Sequence, residues 1–166
     1  VEVSNEAGIT NSQAVDVMVL TPLTVTENPQ GQSVVAGTLA VLNVAANGSN
    51  PVSYQWYKDG TAVDGATGSS LRISNVSAAN QGAYHAVLSN AVSAVTSDSA
   101  ALVINIPPGI ATQPVGLTVE KGRSAVFTVE ATGTAPFTYQ WQHDGVDIDG
   151  ATAETLTIDS VDAVDD

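Results

Sequence analysis

The stretch Tyr54-Gln55-Trp56-Tyr57-Lys58-Asp59-Gly60 decides how this chain reads. A tryptophan inside an alternating run, followed by Asp-Gly, marks a core strand entering a tight hairpin. The stretch returns 85 residues on (141 − 56) as Tyr139-Gln140-Trp141-Gln142-His143-Asp144-Gly145. The same shift carries Pro22 onto Pro107, Gly37 onto Gly122, Gly48 onto Gly133 and Pro51 onto Pro136. It also carries Leu71 and Ile73 onto Leu156 and Ile158. Between 22–81 and 107–166 about two positions in five are identical. A period of this size marks an array of like modules.

Working outward from Trp56, the spacing predicts an all-β unit of seven or eight short antiparallel strands over 21–105. Leu23 to Thr26 and Ser33 to Val35 read as edge strands, with Pro29 and Gly31 between them, because proline suits an edge that donates no ladder bond. Ala40, Leu42, Val44 and Ala46 share one face of a single strand, as residues two apart must. Tyr54 and Trp56 share a face of the next. Leu71 and Ile73 form another inward pair. Tyr84, Ala86 and Leu88 follow, then Ala100, Leu102 and Ile104. No helical periodicity competes with this pattern, which is that of a sandwich.

The flanks repeat parts of the unit. Residues 1–20 read as a strand pair: Val1 to Ser4, a turn at Asn5-Glu6-Ala7-Gly8, then Val15, Val17 and Val19. Residues 106–166 repeat the beginning of the unit and stop before any counterpart of Gly82 or Tyr84. The expected organisation is therefore a truncated module at 1–20, a complete one at 21–105 and a truncated one at 106–166. Val1-Glu2-Val3 looks like mid-strand, so the chain reads as an excerpt of something longer. Short spacers between Val19 and Leu23 predict modules meeting nearly end to end, as an extended rod.

Composition narrows the function classes. Four basic residues stand against 17 acidic ones, a formal net charge of −13. Nothing there neutralises phosphates, which argues against nucleic acid and against anionic lipid. The chain has no cysteine, which excludes disulfides and thiolate metal sites. No run of 18 apolar residues occurs in it, so no transmembrane helix is expected.

Ala46-Asn47-Gly48, Tyr54 to Gly60, Leu71-Arg72-Ile73-Ser74-Asn75-Val76 and Gly82-Ala83-Tyr84 together resemble the immunoglobulin-like superfamily. The nearest likeness is to I-set-type domains found in tandem in bacterial surface and secreted proteins. The resemblance covers the whole chain and implies Greek-key β-sandwiches. In that family two cysteines staple the sheets against the tryptophan. Those positions here are Val44 and Ala86, with Val129 in the third unit and Val1 in the first. The core thus holds by packing, without the roughly 2–4 kcal/mol a disulfide contributes. The resemblance places Tyr84 at the family's tyrosine corner. Asn80 stands where the family usually has Asp, able to cap the turn but without charge. The structural core is expected at Trp56, Trp141, Tyr84, Val44, Ala86 and Val129.

Little in the chain carries chemistry. His85 and His143 are the only histidines, and neither has a histidine or cysteine partner for zinc. No Gly-x-Ser-x-Gly elbow occurs among the serines. Asp147, Asp149, Asp162, Asp165 and Asp166 form the densest acid cluster, but no calcium-loop motif frames them. Asn47-Gly48-Ser49 and Asn75-Val76-Ser77 fit the glycosylation sequon, which matters only in a eukaryotic secretory host. No catalytic residue, metal site or cofactor is expected.

Gln55, Tyr57, His85 and Val87 are expected on one exposed sheet face, where an aromatic beside amides can stack on a sugar or pack on a protein. Gln142 replaces Tyr57 in the third unit. The expected function is non-catalytic: spacer and interaction modules of an extracellular or cell-surface protein, with an adhesive role. The alternative is a carbohydrate- or protein-binding accessory module of a secreted enzyme. The expected partners are neighbouring modules of the parent chain and a protein or glycan ligand.

Overall fold

Asp59 and Gly60 turn the chain as their residue types allow, both with positive φ, 49° and 81°. That pair joins the strand Ser53–Lys58 to Thr61–Ala62, with Lys58 opposite Thr61. Two left-handed residues in succession match the twist of a two-residue hairpin. The structure, a computed structural model, describes residues 1–162. Apart from a single 3-10 turn at Ala78–Asn80, its regular elements are all β-strands.

By internal contacts the chain divides into two compact units. One comprises 1–30, 41–71 and 83–100; the other comprises 31–40, 72–82 and the described residues from Ala101 onward. In the first, Ser53–Lys58 pairs antiparallel with Gly82–Ser89, placing Ala86 opposite Trp56 and His85 opposite Tyr57. Gly82–Ser89 also takes Ala94–Thr96, and Thr24–Glu27 pairs with Ala45–Asn47. The core of this unit is made of Leu42, Val44, Trp56, Leu71, Tyr84, Ala86 and Leu88, all buried, with Trp56 fully so. Trp56 Nε1 still finds an acceptor, donating to Gly68 O at 2.9 Å. Burying an indole at no hydrogen-bond cost is what makes it an effective core residue.

The second unit begins with a parallel pair, Gln32–Val35 beside Ala100–Asn105, in the register Leu102 to Gln32 and Ile104 to Val34. Ala40, Val76, Leu102 and Ile104 are buried here. Three antiparallel pairs follow: Gly109–Thr112 with Glu130–Thr132, Ala125–Thr128 with Thr155–Ile158, and Gln142–His143 with Val146–Asp147.

Three strand expectations need correction. The strand expected over 40–46 breaks at Val44 into Ala40–Asn43 and Ala45–Asn47. Val44 N there donates to Ser69 O, while Ala46 pairs with Val25. The run thus changes partner midway while its inward alternation continues through Val44. Val15, Val17 and Val19 form no strand and are exposed; the second strand of the N-terminal pair is Gly8–Asn11, opposite Glu2–Asn5. Their counterparts Ala100, Leu102 and Ile104 belong to a strand that lies on Gln32–Val35, and nothing in 1–20 corresponds to that partner. Tyr139 to Trp141 is likewise not strand, and pairing starts only at Gln142. The middle stretch pairs with Gly82–Ser89, which has no counterpart among residues 107–162. Alternation alone makes a segment fit to be a strand; a partner is needed to make it one.

Candidate interaction surface on the tryptophan sheet

The Tyr57 and His85 rings stack, with centroids 5.2 Å apart and planes 4° from parallel. The pairing that sets Tyr57 opposite His85 creates this contact, since directly opposed side chains stand about 4.5–5.5 Å apart at Cβ. Val87 lies opposite Gln55 in the same register. All four side chains are half-buried rather than open.

Gln55 is occupied by its own hairpin. Its Nε2 donates to Trp56 O at 2.9 Å and to Val63 O at 2.8 Å. Gln140 repeats both bonds, to Trp141 O at 3.0 Å and to Ile148 O at 2.8 Å. The side chain bridges the hairpin on which it sits, so both donors are spent on the fold and Oε1 alone is left for a ligand. The contact-making part of this face is therefore the Tyr57–His85 stack with Val87 beside it. At the third unit's Tyr57 position, Gln142 Nε2 donates to Asp147 Oδ1 at 2.8 Å.

Asp59 ties the hairpin to the next strand. Asp59 N donates to Ala83 O and Ala83 N donates to Asp59 Oδ1, both at 2.8 Å. The Ala83 amide, with the Lys58 ammonium at 3.0 Å, holds the Asp59 carboxyl below the usual aspartate range. Burial pushes the Tyr84 phenol up. Asn80 Oδ1 accepts from Ser77 N at 2.8 Å, closing the 3-10 turn with a neutral side chain.

No group of three or more His, Cys, Asp or Glu side chains converges among the described residues. Within the acid cluster, Asp147 bonds to Gln142 and Asp162 pairs with Lys121 at 2.8 Å. Asp165 and Asp166 lie outside the described residues. His143 Nε2 stands 4.0 Å from Asp144 Oδ2.

The residues that the sequence reading missed hold the start of each module. Asn90 Oδ1 accepts from the amides of Val92 and Ser93, while its Nδ2 donates to Thr21 O and Ser49 O, each at 3.0 Å. Thr21 N donates to Ser49 Oγ and Ser49 N to Thr21 O. Ile106 and Thr134 repeat that exchange 85 residues on, with Ile106 N to Thr134 Oγ1 at 2.7 Å and Thr134 N to Ile106 O at 2.9 Å. Gly48 and Gly133 allow the close approach: a Cβ on Gly48 would lie 2.9 Å from Pro22 O, and one on Gly133 2.6 Å from Pro107 O. The signal was present in the recurrence of both glycines and of Asn5 at Asn90, but no local motif announces it.

Residues 23–90 match a family model described as immunoglobulin domain. Among curated proteins, Roundabout homolog 3 of Homo sapiens is 33% identical over 147 residues, covering 86% of this chain and 10% of that protein. Cell adhesion molecule DSCAML1 of Mus musculus is 28% identical over 141 residues, covering 80% of this chain and 7% of that protein. The chain thus spans a tenth or less of the length of these relatives. Among solved structures, a three-immunoglobulin-domain stretch of titin superposes with a TM-score of 0.78 at 23% identity, covering 98% of this chain and 63% of that one. With its paired tryptophan hairpins and all-β architecture, the chain belongs to the immunoglobulin-like superfamily.

Proposed function

We propose that the chain supplies non-catalytic tandem interaction modules with an adhesive role in an extracellular or cell-surface protein. The observation that carries this reading is the recurrence, 85 residues on, of the tryptophan hairpin's bonds and of the junction bonds, without a convergent set of chemical groups among the described residues. The relative described as a cell adhesion molecule supports the adhesive part. Placement outside the cell rests on the same relative. No helix among the described residues is long and apolar enough to cross a membrane. Module limits at 1–20, 21–105 and 106–166 belong to this proposal. A bacterial surface or secreted source, which the sequence resemblance suggests, belongs to it too. Residues 21–105 alone should melt cooperatively, near the main transition of the whole chain. A non-cooperative melt of that piece overturns the limits. The whole chain, immobilised, should retain extracellular-matrix proteins or whole cells; no retention overturns the adhesive role.

A second reading has one observation in its favour, the coplanar Tyr57–His85 stack on a half-buried sheet face. It is that of a carbohydrate- or protein-binding accessory module, in which the ring pair offers a flat platform to a sugar or a protein side chain. Glycan-array binding that disappears in Tyr57→Ala supports it. No binding, or binding that survives the substitution, removes the site.

A further inference from the structure

We propose that Asn47 is a site of covalent self-modification, converted to isoaspartate through a cyclic imide with Gly48, and that the bonds among Thr21, Ser49 and Asn90 hold this reaction back. Asn47-Gly48 is the chain's only Asn-Gly pair. Ring closure brings a backbone amide nitrogen onto the side-chain carbonyl carbon of the residue before it. A side chain on the following residue crowds that approach, and every other asparagine of the chain is followed by a residue that has one. Glycine removes the obstruction and leaves the backbone free to turn. Asn47 and Gly48 are both exposed, so water reaches them.

The reaction needs only that water. Gly48 N loses its proton and bonds to Asn47 Cγ, and the carboxamide nitrogen departs as ammonia. Water then adds to one of the two imide carbonyls. Where the bond from Asn47 C to Gly48 N breaks, the main chain runs on through Cβ and Cγ, and Asn47 C becomes a free carboxylate: this is isoaspartate. Where the bond from Cγ to Gly48 N breaks, the product is aspartate. One water enters and one ammonia leaves, with no change of oxidation state.

The folded chain withholds the geometry. Asn47 ends the strand Ala45–Asn47 and lies opposite Thr24. An extended residue points the next amide nitrogen away from its own side chain, so ring closure requires rotation about the Asn47 Cα–C bond. Ser49, just beyond, is pinned. Its N donates to Thr21 O at 3.1 Å, its Oγ accepts from Thr21 N at 2.8 Å, and its carbonyl accepts from Asn90 Nδ2 at 3.0 Å. Gly48 has no slack between these anchors, since even a Cβ there would lie 2.8 Å from Leu23 Cδ2 and 2.9 Å from Pro22 O. The rotation therefore waits for the Ser49 bonds to open, and the native rate is the open-chain rate scaled by the fraction open.

The product keeps the segment open. Isoaspartate adds a carbon to the main chain between residue 47 and Gly48, so the pairing at Thr24 and the bonds to Thr21 no longer fit together. A new carboxylate also joins a chain already at −13. The third unit is exempt. It places Thr132 before Gly133 and makes the same exchange between Ile106 and Thr134, so it has the clamp without the reactive side chain. Loosening by this chemistry is confined to the start of the middle module.

The whole chain, incubated natively and in urea at mildly alkaline pH, tests this by peptide mass spectrometry with chromatographic separation of isoaspartyl from aspartyl peptides. Asn47 should convert in urea, and at least about tenfold more slowly in the native chain. Asn90→Ala should raise the native rate by about fivefold to about 150-fold, the range set by the lost bonds, and leave the rate in urea unchanged. Ser49→Ala, which removes only the acceptor of Thr21 N, is the milder probe and should also narrow the gap between its own native and urea rates. Asn47→Gln closes a larger ring far more slowly and should abolish conversion with the melt unchanged. The purified isoaspartyl chain should melt below the unmodified one. No conversion in urea overturns the proposal, and so do equal rates in the native and unfolded chains. Native rates that neither Asn90→Ala nor Ser49→Ala raises, or an isoaspartyl chain with an unchanged melt, overturn it too.

Discussion

Trp56 and Trp141 make the same indole hydrogen bond, 2.9 Å to Gly68 O and 2.9 Å to Ala153 O, yet the first is fully buried and the second only half-buried. The hairpins around them also agree in their backbone bonds. Trp56 N donates to Ala66 O and Val63 N to Trp56 O; Trp141 N donates to Ala151 O and Ile148 N to Trp141 O. What differs is the strand Gly82–Ser89, which covers Trp56 and has no counterpart over Trp141 among the described residues.

The two tryptophans should therefore respond differently. Trp56→Ala should cost about 3–5 kcal/mol, as large aromatic truncations in a core do. Trp141→Ala should cost about 0.5–2 kcal/mol. Denaturant melts measure both. Acrylamide should quench the Trp141 fluorescence and spare that of Trp56, so Trp141→Phe should remove most of the quenchable emission. Equal losses in the two alanine variants would mean that the burial difference is not what the protein experiences.

Gly48 and Gly133 should not tolerate a side chain. Their φ values of 149° and 121° are costly for an L residue, and the added Cβ meets Leu23 Cδ2 at 2.8 Å and Pro107 O at 2.6 Å respectively. Gly48→Ala and Gly133→Ala should each destabilise by about 1–3 kcal/mol. Gly116→Ala, with nothing within 4 Å, is the control and should leave the melt within about 0.5 kcal/mol.

Asn90→Ala removes the acceptor of two turn amides and the donor to Thr21 O and Ser49 O at once. Half-buried Ser49 loses the donor to its carbonyl, and exposed Thr21 keeps only the Ser49 amide on its own, a loss of about 1–3 kcal/mol with the two turn amides. Asn90→Asp keeps the acceptor and loses the donor, so it should fall between the two. An Asn90→Asp variant as stable as the native chain would show that the bonds to Thr21 and Ser49 contribute nothing.

Asp59 makes a pH prediction with a definite sign. Its folded carboxyl is held low, first by the Ala83 amide and then by Lys58. A depressed folded value gives stability that is fully present above the unfolded carboxylate range, near roughly pH 4, and lost as the pH falls through the folded value. Asp59→Asn retains an oxygen acceptor and tolerates the left-handed turn, but it does not titrate. Urea midpoints of native and Asp59→Asn chains should run parallel above about pH 5 and converge below about pH 4. A gap that stays constant down to about pH 2 refutes the assignment.

Sequence by itself determined what depends on neighbours along the chain. The Asp-Gly turn and the inward alternation of Ala40, Leu42 and Val44 follow from residue types and a period of two. The turn recurs at Asp144-Gly145 with positive φ, while Tyr139 to Trp141 stays out of strand pairing. The membership of the chain in an all-β tandem family was legible for the same reason. Tertiary structure alone decided which of these matched segments acquires a core. Leu102 and Val17 occupy the same place in the repeat, yet one is 1% and the other 84% exposed. The junction held by Asn90, Thr21 and Ser49 joins residues up to 69 apart in sequence. It was equally out of reach, because burial and long-range hydrogen bonds depend on partners that local pattern does not specify.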